Sequence, residues 1–163
     1  MGLDITAVSR LKHVGPEPDD FDWETNWGFY FKAHAYDGFE YSMRGLIDGH
    51  LYQTTTQSDT FGFRAGSYSG YGRFREMLVE HVGATVPDYW EGRDTSLPFY
   101  ELVNFADNEG TIGPEAAADL LIDFEKHRES FFLAFDDDWD RDRYDNWIRA
   151  CKLASANGLI DFH

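Results

Sequence analysis

Residues 61–83, FGFRAGSYSGYGRFREMLVEHVG, change their hydrophobic period partway along. Phe61 and Phe63 alternate with Gly62 and Arg64, the period of a half-buried strand. Phe74, Met77, Leu78 and Val82 then recur at the spacing of one helix face, and Gly83 is placed to end it. A strand followed at once by an amphipathic helix requires a core built from both kinds of element. Residues 65–72, AGSYSGYG, are too rich in glycine to continue the strand and predict a loop between the two.

The rest of the chain sorts by the same criterion. Residues 3–12 mix β-branched and polar side chains and predict a first strand, with Asp4 at a solvent-facing position. Residues 13–25 carry Gly15, Pro16, Pro18 and the acids Asp19, Asp20, Asp22 and Glu24, and predict a surface loop pinned by Trp23 and Trp27. An aromatic strand follows over 26–36, with Phe29 and Phe31 on one face and Tyr30 and Lys32 on the other, and a further strand over 50–56. Residues 84–98 predict a connection, and 99–105 a short buried strand or helical turn that periodicity cannot separate.

Pro114 suits the first turn of a helix that buries Ala116, Ala117, Leu120, Leu121 and Phe124 and runs to Arg128. Residues 129–135 then predict an apolar connection. A last helix over 143–156 buries Tyr144, Trp147, Ile148, Cys151 and Ala154, and a short strand over 159–162 closes the chain. Strand patterns gather in the N-terminal half and helical patterns in the C-terminal half. The expectation is a single α+β domain over 1–163, an antiparallel-rich sheet with about three helices packed on it.

Charge limits the partners. Thirty acidic residues stand against 14 basic ones, a net charge of −16. Duplex nucleic acid would be repelled. Solubility is the plain reading of such acidity; DNA mimicry and adaptation to high salt are the sharper ones. No apolar run approaches the roughly 18 residues of a membrane span, and Asp4 and Arg10 interrupt any secretory leader. The one cysteine, Cys151, excludes an internal disulfide and a cysteine-rich zinc site, so a cytoplasmic location is expected.

Against that acidity, three arginines fall within the 61–83 stretch: Arg64, Arg73 and Arg75. With Ser67, Tyr68, Ser69 and Tyr71 they form the candidate ligand-binding set. Backbone N–H groups and a helix start favour an anion, the hydroxyls add donors, the tyrosines offer flat faces, and an arginine can clamp a phosphate or carboxylate in two-point fashion. The loop matches neither a Walker A pattern nor G-x-G-x-x-G. Its alternative is a tight turn whose arginines meet the protein's own carboxylates.

Other polar clusters carry less. Asp107, Asn108 and Glu109 are oxygen-rich enough for a hard cation, but a turn is the commoner use of such residues. The run 136–142, DDDWDRD, fails as a calcium loop, because Arg141 stands where the loop glycine belongs and Trp147 where the closing glutamate belongs. It reads as an acidic loop and helix cap. His34 in its aromatic strand reads as structural, and Cys151 lies on an apolar face. No metal, cofactor or catalytic residue is assigned.

Four segments, MGLDITAVSRLK, GFRAGSYSGYGRFR, NFADNEGTIGPEAAADLL and WIRACKLASANGLIDFH, together resemble a family of small uncharacterised proteins of phages, prophages and bacteria. The resemblance spans nearly the whole chain. It implies a genomic setting in which small acidic proteins antagonise host defence, some by trapping nucleotide signals, others by mimicking DNA or blocking a defence enzyme.

The functional expectation is therefore a non-catalytic protein that binds a small phosphorylated, nucleotide-like ligand and acts by sequestration. A hydrolase using Asp4, His34, Asp107 or Glu109 is one alternative, and an acidic inhibitor of another protein the other. A homo-oligomer and a host defence protein both stay open as partners.

Overall fold

The computed structural model describes residues 2–105 and 109–163. Strand β1 (Gly2–Val8) is the centre of the larger sheet. The second sheet takes β2 (Lys12–Pro16), followed by helix α1 (Trp23–Asn26), β3 (Tyr30–Lys32) and β4 (His50–Gln53). The chain continues through β5 (Thr60–Ser67), α2 (Tyr68–His81), α3 (Val86–Trp90), α4 (Tyr100–Val103), β6 (Gly110–Ile112), α5 (Pro114–Ala134), α6 (Asp138–Ser155) and β7 (Leu159–Phe162). The larger sheet has the order β5-β1-β7-β6 and the smaller one β2-β4-β3, and every pairing is antiparallel. The fold is α+β.

Alternation along β1 assigns its two faces. Leu3, Ile5 and Ala7 point into the main core with Ile112, Ile160 and Phe162. The three long helices, α2, α5 and α6, cover that face. Trp147 of α6 is fully buried, 5.2 Å from Phe63, 5.9 Å from Phe162 and 6.0 Å from Tyr71 between ring centroids. Val8 and Leu159, on the opposite face, pack with Leu11, Phe31, Ala33, Met43 and Tyr52. The larger sheet is thus sandwiched, helices on one side and the smaller sheet on the other.

Several boundaries differ from the sequence expectation. The predicted loop over 65–72 does not form. Strand β5 runs on through Ser67, and α2 starts at Tyr68. A bulge opposite Leu3 and Asp4 leaves Ala65 out of the register beside Gly66, whose φ of +121° suits glycine, and Ser67 then caps the helix by accepting from the Gly70 N–H at 3.0 Å. The strand expected over 3–12 breaks after Val8, where Arg10 turns at φ +52°. The expected loop over 13–25 holds β2 and a helical turn capped by Asp22.

Of the expected 26–36 strand only Tyr30–Lys32 joins the sheet, with Trp27 making an isolated bridge to Tyr30, and Phe29 and Phe31 do not share a fate: Phe31 is buried and Phe29 is exposed. Residues 84–98 include α3, and 99–105 resolves as the helical turn α4. Helix α5 absorbs the apolar residues 129–134, because Phe131 packs into the core against Phe74 and Tyr144. Helix α6 starts at Asp138 under an Asp137 cap. The sheet also draws β6 and β7 from the C-terminal half. Among the described residues no helix is long and apolar enough to cross a membrane.

Candidate functional site

The face of the larger sheet turned away from the helices carries a polar row. Asp161 of β7 pairs directly with Thr6 of β1 on one side and with Thr111 of β6 on the other. Directly opposed residues of an antiparallel ladder project to the same face, so these three side chains stand together. Over Thr6 and Asp161 lies a cavity of about 310 Å³. Thr6, Thr60, Asp161 and His163 line it from the larger sheet, and Trp23, Trp27, Tyr30 and Phe31 from α1 and β3.

The aromatic wall is braced from behind. The Phe21 ring packs edge-on against Trp23 at 4.8 Å and Tyr30 at 5.2 Å. Glu17 accepts from the Trp23 indole N–H at 2.6 Å and meets the Lys32 ammonium at 2.6 Å. Those two contacts, Lys32 first, hold the Glu17 carboxyl below its ordinary value. Lys32 lines the same cavity, with its charge already matched. Trp27 is 69% exposed and stands edge-on to His163 at 6.3 Å.

Asp161 is the anomaly of this site. Both hydroxyls beside it are committed elsewhere. Thr6 Oγ1 lies 2.9 Å from His163 Nε2. Thr111 Oγ1 donates to the His34 carbonyl at 3.2 Å and accepts from the His34 N–H at 2.9 Å. Burial pushes the Asp161 carboxyl up to about 7, with no hydrogen bond or opposite charge from the described residues to counter it. Glu101, more deeply buried than Asp161, differs: the Arg44 guanidinium sits 2.7 Å from it and 2.7 Å from Asp119. Burial raises Glu101 as well, but its ion pair is internal and complete. Asp161 alone of these two opens into an aromatic cavity.

The arginine set of the 61–83 stretch is distributed over different surroundings. Arg64 lies on β5, exposed, with Nε 4.0 Å from Asp4 Oδ1 and its guanidinium over Gly2. Arg75 donates to the Phe105 carbonyl at 3.0 Å and covers the Tyr71 ring at 4.5 Å. Arg73 is exposed beside a hollow shared with Gly70, Asp137, Asp140 and Arg143, while Arg75 lines a separate hollow with Val86 and Trp90. Tyr71 is fully buried against Trp147 and is a core residue rather than a surface face. Ser67, Tyr68 and Ser69 do lie together at the exposed start of α2, the two serine hydroxyls 3.1 Å apart.

The remaining candidates occupy ordinary positions. Asp4 is exposed. His34 Nδ1 is 3.7 Å from Asp48 Oδ1. Glu109 accepts from the Tyr36 hydroxyl, and Asp107 and Asn108 lie outside the described residues. Cys151 is buried, and burial raises its thiol far above the ordinary value. One signal for the cavity was present in the sequence: Asp161 is a lone acid inside the otherwise apolar strand Leu159–Phe162. No protein-family model, curated protein or solved structure matches this chain.

Proposed function

We propose that this protein binds a small ring-bearing molecule in the cavity between its two sheets, without turning it over. The observation that carries this reading is the make-up of the cavity: aromatic rings line it together with the half-buried Asp161 carboxyl, which receives no hydrogen bond from the described residues. A concave, mostly apolar pocket with one polar group set among aromatic side chains is the usual form of a small-molecule site. The volume, about 310 Å³, is at the small end of ligand sites and suits one ring system with short substituents.

Sequestration of a small signal, the role implied by the resemblance, requires such a cavity and an affinity but no reacting group. A phosphorylated ligand gripped at the start of α2 has less support. Arg73 and Arg143 border a hollow there, but Asp137 and Asp140 border it too and oppose an anion.

Mass spectrometry of small molecules released on denaturing the purified protein tests the proposal. A ring compound in stoichiometric yield, lost from Asp161→Asn and Trp27→Ala, supports it. Retention of the same compound by both variants would place the ligand elsewhere. A carboxyl near neutrality can also act as a general acid, so the released compound is incubated with the protein and recovered. Conversion to a product would replace binding with hydrolysis.

A further inference from the structure

We infer that the cavity selects an organic cation, a protonated amine carried on a ring, held between the Asp161 carboxylate and the faces of Trp23, Trp27 and Tyr30. This rests on the cavity being the binding site, and it adds the charge of the ligand.

Three features point to positive charge. First, the formal charges around the cavity do not cancel. Lys32 is matched by Glu17, which lies 2.6 Å from it, and the imidazole of His163 is engaged by Thr6. The Asp161 carboxyl, half-buried in the cavity lining, has no counterpart among the described residues. An ammonium or ring N–H⁺ supplies both the missing donor and the missing charge, and a charge-assisted hydrogen bond is about twice as strong as a neutral one.

Second, the wall opposite the carboxylate is made of π faces. A cation within about 6 Å of such a ring is attracted by its quadrupole, and Trp is the best of the three aromatic types. The indole N–H of Trp23 is spent on Glu17, so what this residue gives the cavity is its ring. Trp27 is largely exposed and lines the same cavity, so its ring has room to pack against a bound group.

Third, the whole molecule favours the same sign. At a net charge of −16 the surrounding field concentrates cations and depletes anions near every opening. A phosphate or carboxylate would have to cross that field to reach a negatively charged floor.

The test uses two probes of nearly equal shape, phenethylammonium and 2-phenylethanol, titrated by tryptophan fluorescence and calorimetry well above neutral pH, where Asp161 is ionised. The ammonium is expected to bind about tenfold or more tightly than the alcohol. Asp161→Asn should erase that preference while leaving alcohol binding unchanged, and Trp27→Ala should weaken both probes. Leu133→Ala, at an exposed position of α5 outside the cavity lining, serves as the control and should change neither. Equal affinity for the two probes, or a preference that survives in Asp161→Asn, would overturn the charge assignment and leave the cavity standing. Binding of the ammonium that is insensitive to both Asp161→Asn and Trp27→Ala would overturn the site itself. Circular dichroism of each variant confirms folding, and Trp27→Phe retains a ring where Trp27→Ala proves unstable.

Discussion

Asp161 and Thr111 are direct partners across β7 and β6, yet the Thr111 hydroxyl turns to the His34 backbone and leaves the carboxyl unmet. Thr111 thereby ties the larger sheet to the chain leaving β3. Its hydroxyl accepts from the His34 N–H, and its hydroxyl and its own N–H both donate to the His34 carbonyl. Replacing it with valine keeps the shape and removes both hydroxyl bonds. The His34 carbonyl keeps the Thr111 N–H at 2.8 Å, so the variant leaves one part-buried N–H, that of His34, without its partner; urea denaturation of Thr111→Val should show a loss of about 1 kcal/mol.

Asp161 makes stability depend on pH in a direction opposite to a salt-bridged acid. Its ordinary value is 3.8 and its folded value is about 7. Between the two, the folded protein holds a proton that the unfolded chain has released. Stability from this group is complete below about pH 4 and is lost as pH rises to about 7. Asparagine cannot ionise, so Asp161→Asn and the parent should be equally stable at the acid end and diverge above it. At full divergence the variant should lead by roughly 2–4 kcal/mol. Glu101 titrates in the same window, but it is common to both proteins and cancels in the comparison. Parallel stability curves across the range would mean that Asp161 is solvated in the native state.

The histidine pair between α2 and α5 works in the other sense. His81 and His127 meet edge-on at 6.1 Å, His81 also packs on Phe131 at 5.6 Å, and burial lowers both below 6.5. Lys126 lowers His127 further, while Asp123 partly offsets it. Below 6.5 the unfolded chain takes up protons that the folded one resists, so this stability is present above that pH and is lost as pH falls. His81→Phe keeps an aromatic ring against Phe131 and removes one titrating group. Its acid unfolding limb should be shallower than that of the parent, measured as the urea midpoint against pH.

The local parts of this fold were legible because their signals are local. The helical spacing of Phe74, Met77 and Leu78 survives in α2, and Tyr144, Trp147, Cys151 and Ala154 are the buried face of α6 as expected. Glycines misled where their context is tertiary. Gly66 sits at a strand bulge, with Arg143 Nη2 3.3 Å from where its β-carbon would be, and Gly70 and Gly72 are inside a helix. A count of turn formers cannot distinguish these uses. Apart from the lone acid Asp161 in its apolar strand, nothing in the sequence pointed to the cavity. Thr6, Trp27 and Asp161 are far apart in sequence, and only the β1–β7 register and the sandwiching of the larger sheet bring them together. The arginines drew attention because they are rare here, but rarity in sequence does not imply a shared surface.

Trp147 tests the core on which the sheet rests. It is fully buried, edge-on to Phe63 and stacked with Tyr71. Trp147→Ala removes the ring at the meeting point of α6, α2 and β5, and should cost about 3–5 kcal/mol in urea denaturation. A loss below about 1 kcal/mol would mean that the site collapses without leaving a cavity.

Gly158 joins α6 to β7 and sets the register in which Asp161 meets Thr6. A β-carbon there would lie 1.8 Å from the Val8 carbonyl oxygen and 2.9 Å from the Ser9 Cα. The obstruction is backbone, so no side chain can swing aside to relieve it. The Gly158 N–H also donates to the Ala154 carbonyl at 2.9 Å, which fixes the turn from the other end. Gly158→Ala must therefore push β7 away from β1 beside the Val8–Leu159 pair. The expected cost is about 3 kcal/mol or more, the size of a forced backbone shift. Gly83→Ala is the matched control, since its φ of +74° disfavours alanine but no atom lies within 4 Å. That strain alone should cost roughly 1–2 kcal/mol. Amide exchange separates the two: Gly158→Ala should lose protection along β7 and with it the alignment of Asp161, whereas Gly83→Ala should fray only the end of α2. Equal costs and unchanged β7 protection would show that the chain can pass Val8 at a greater distance.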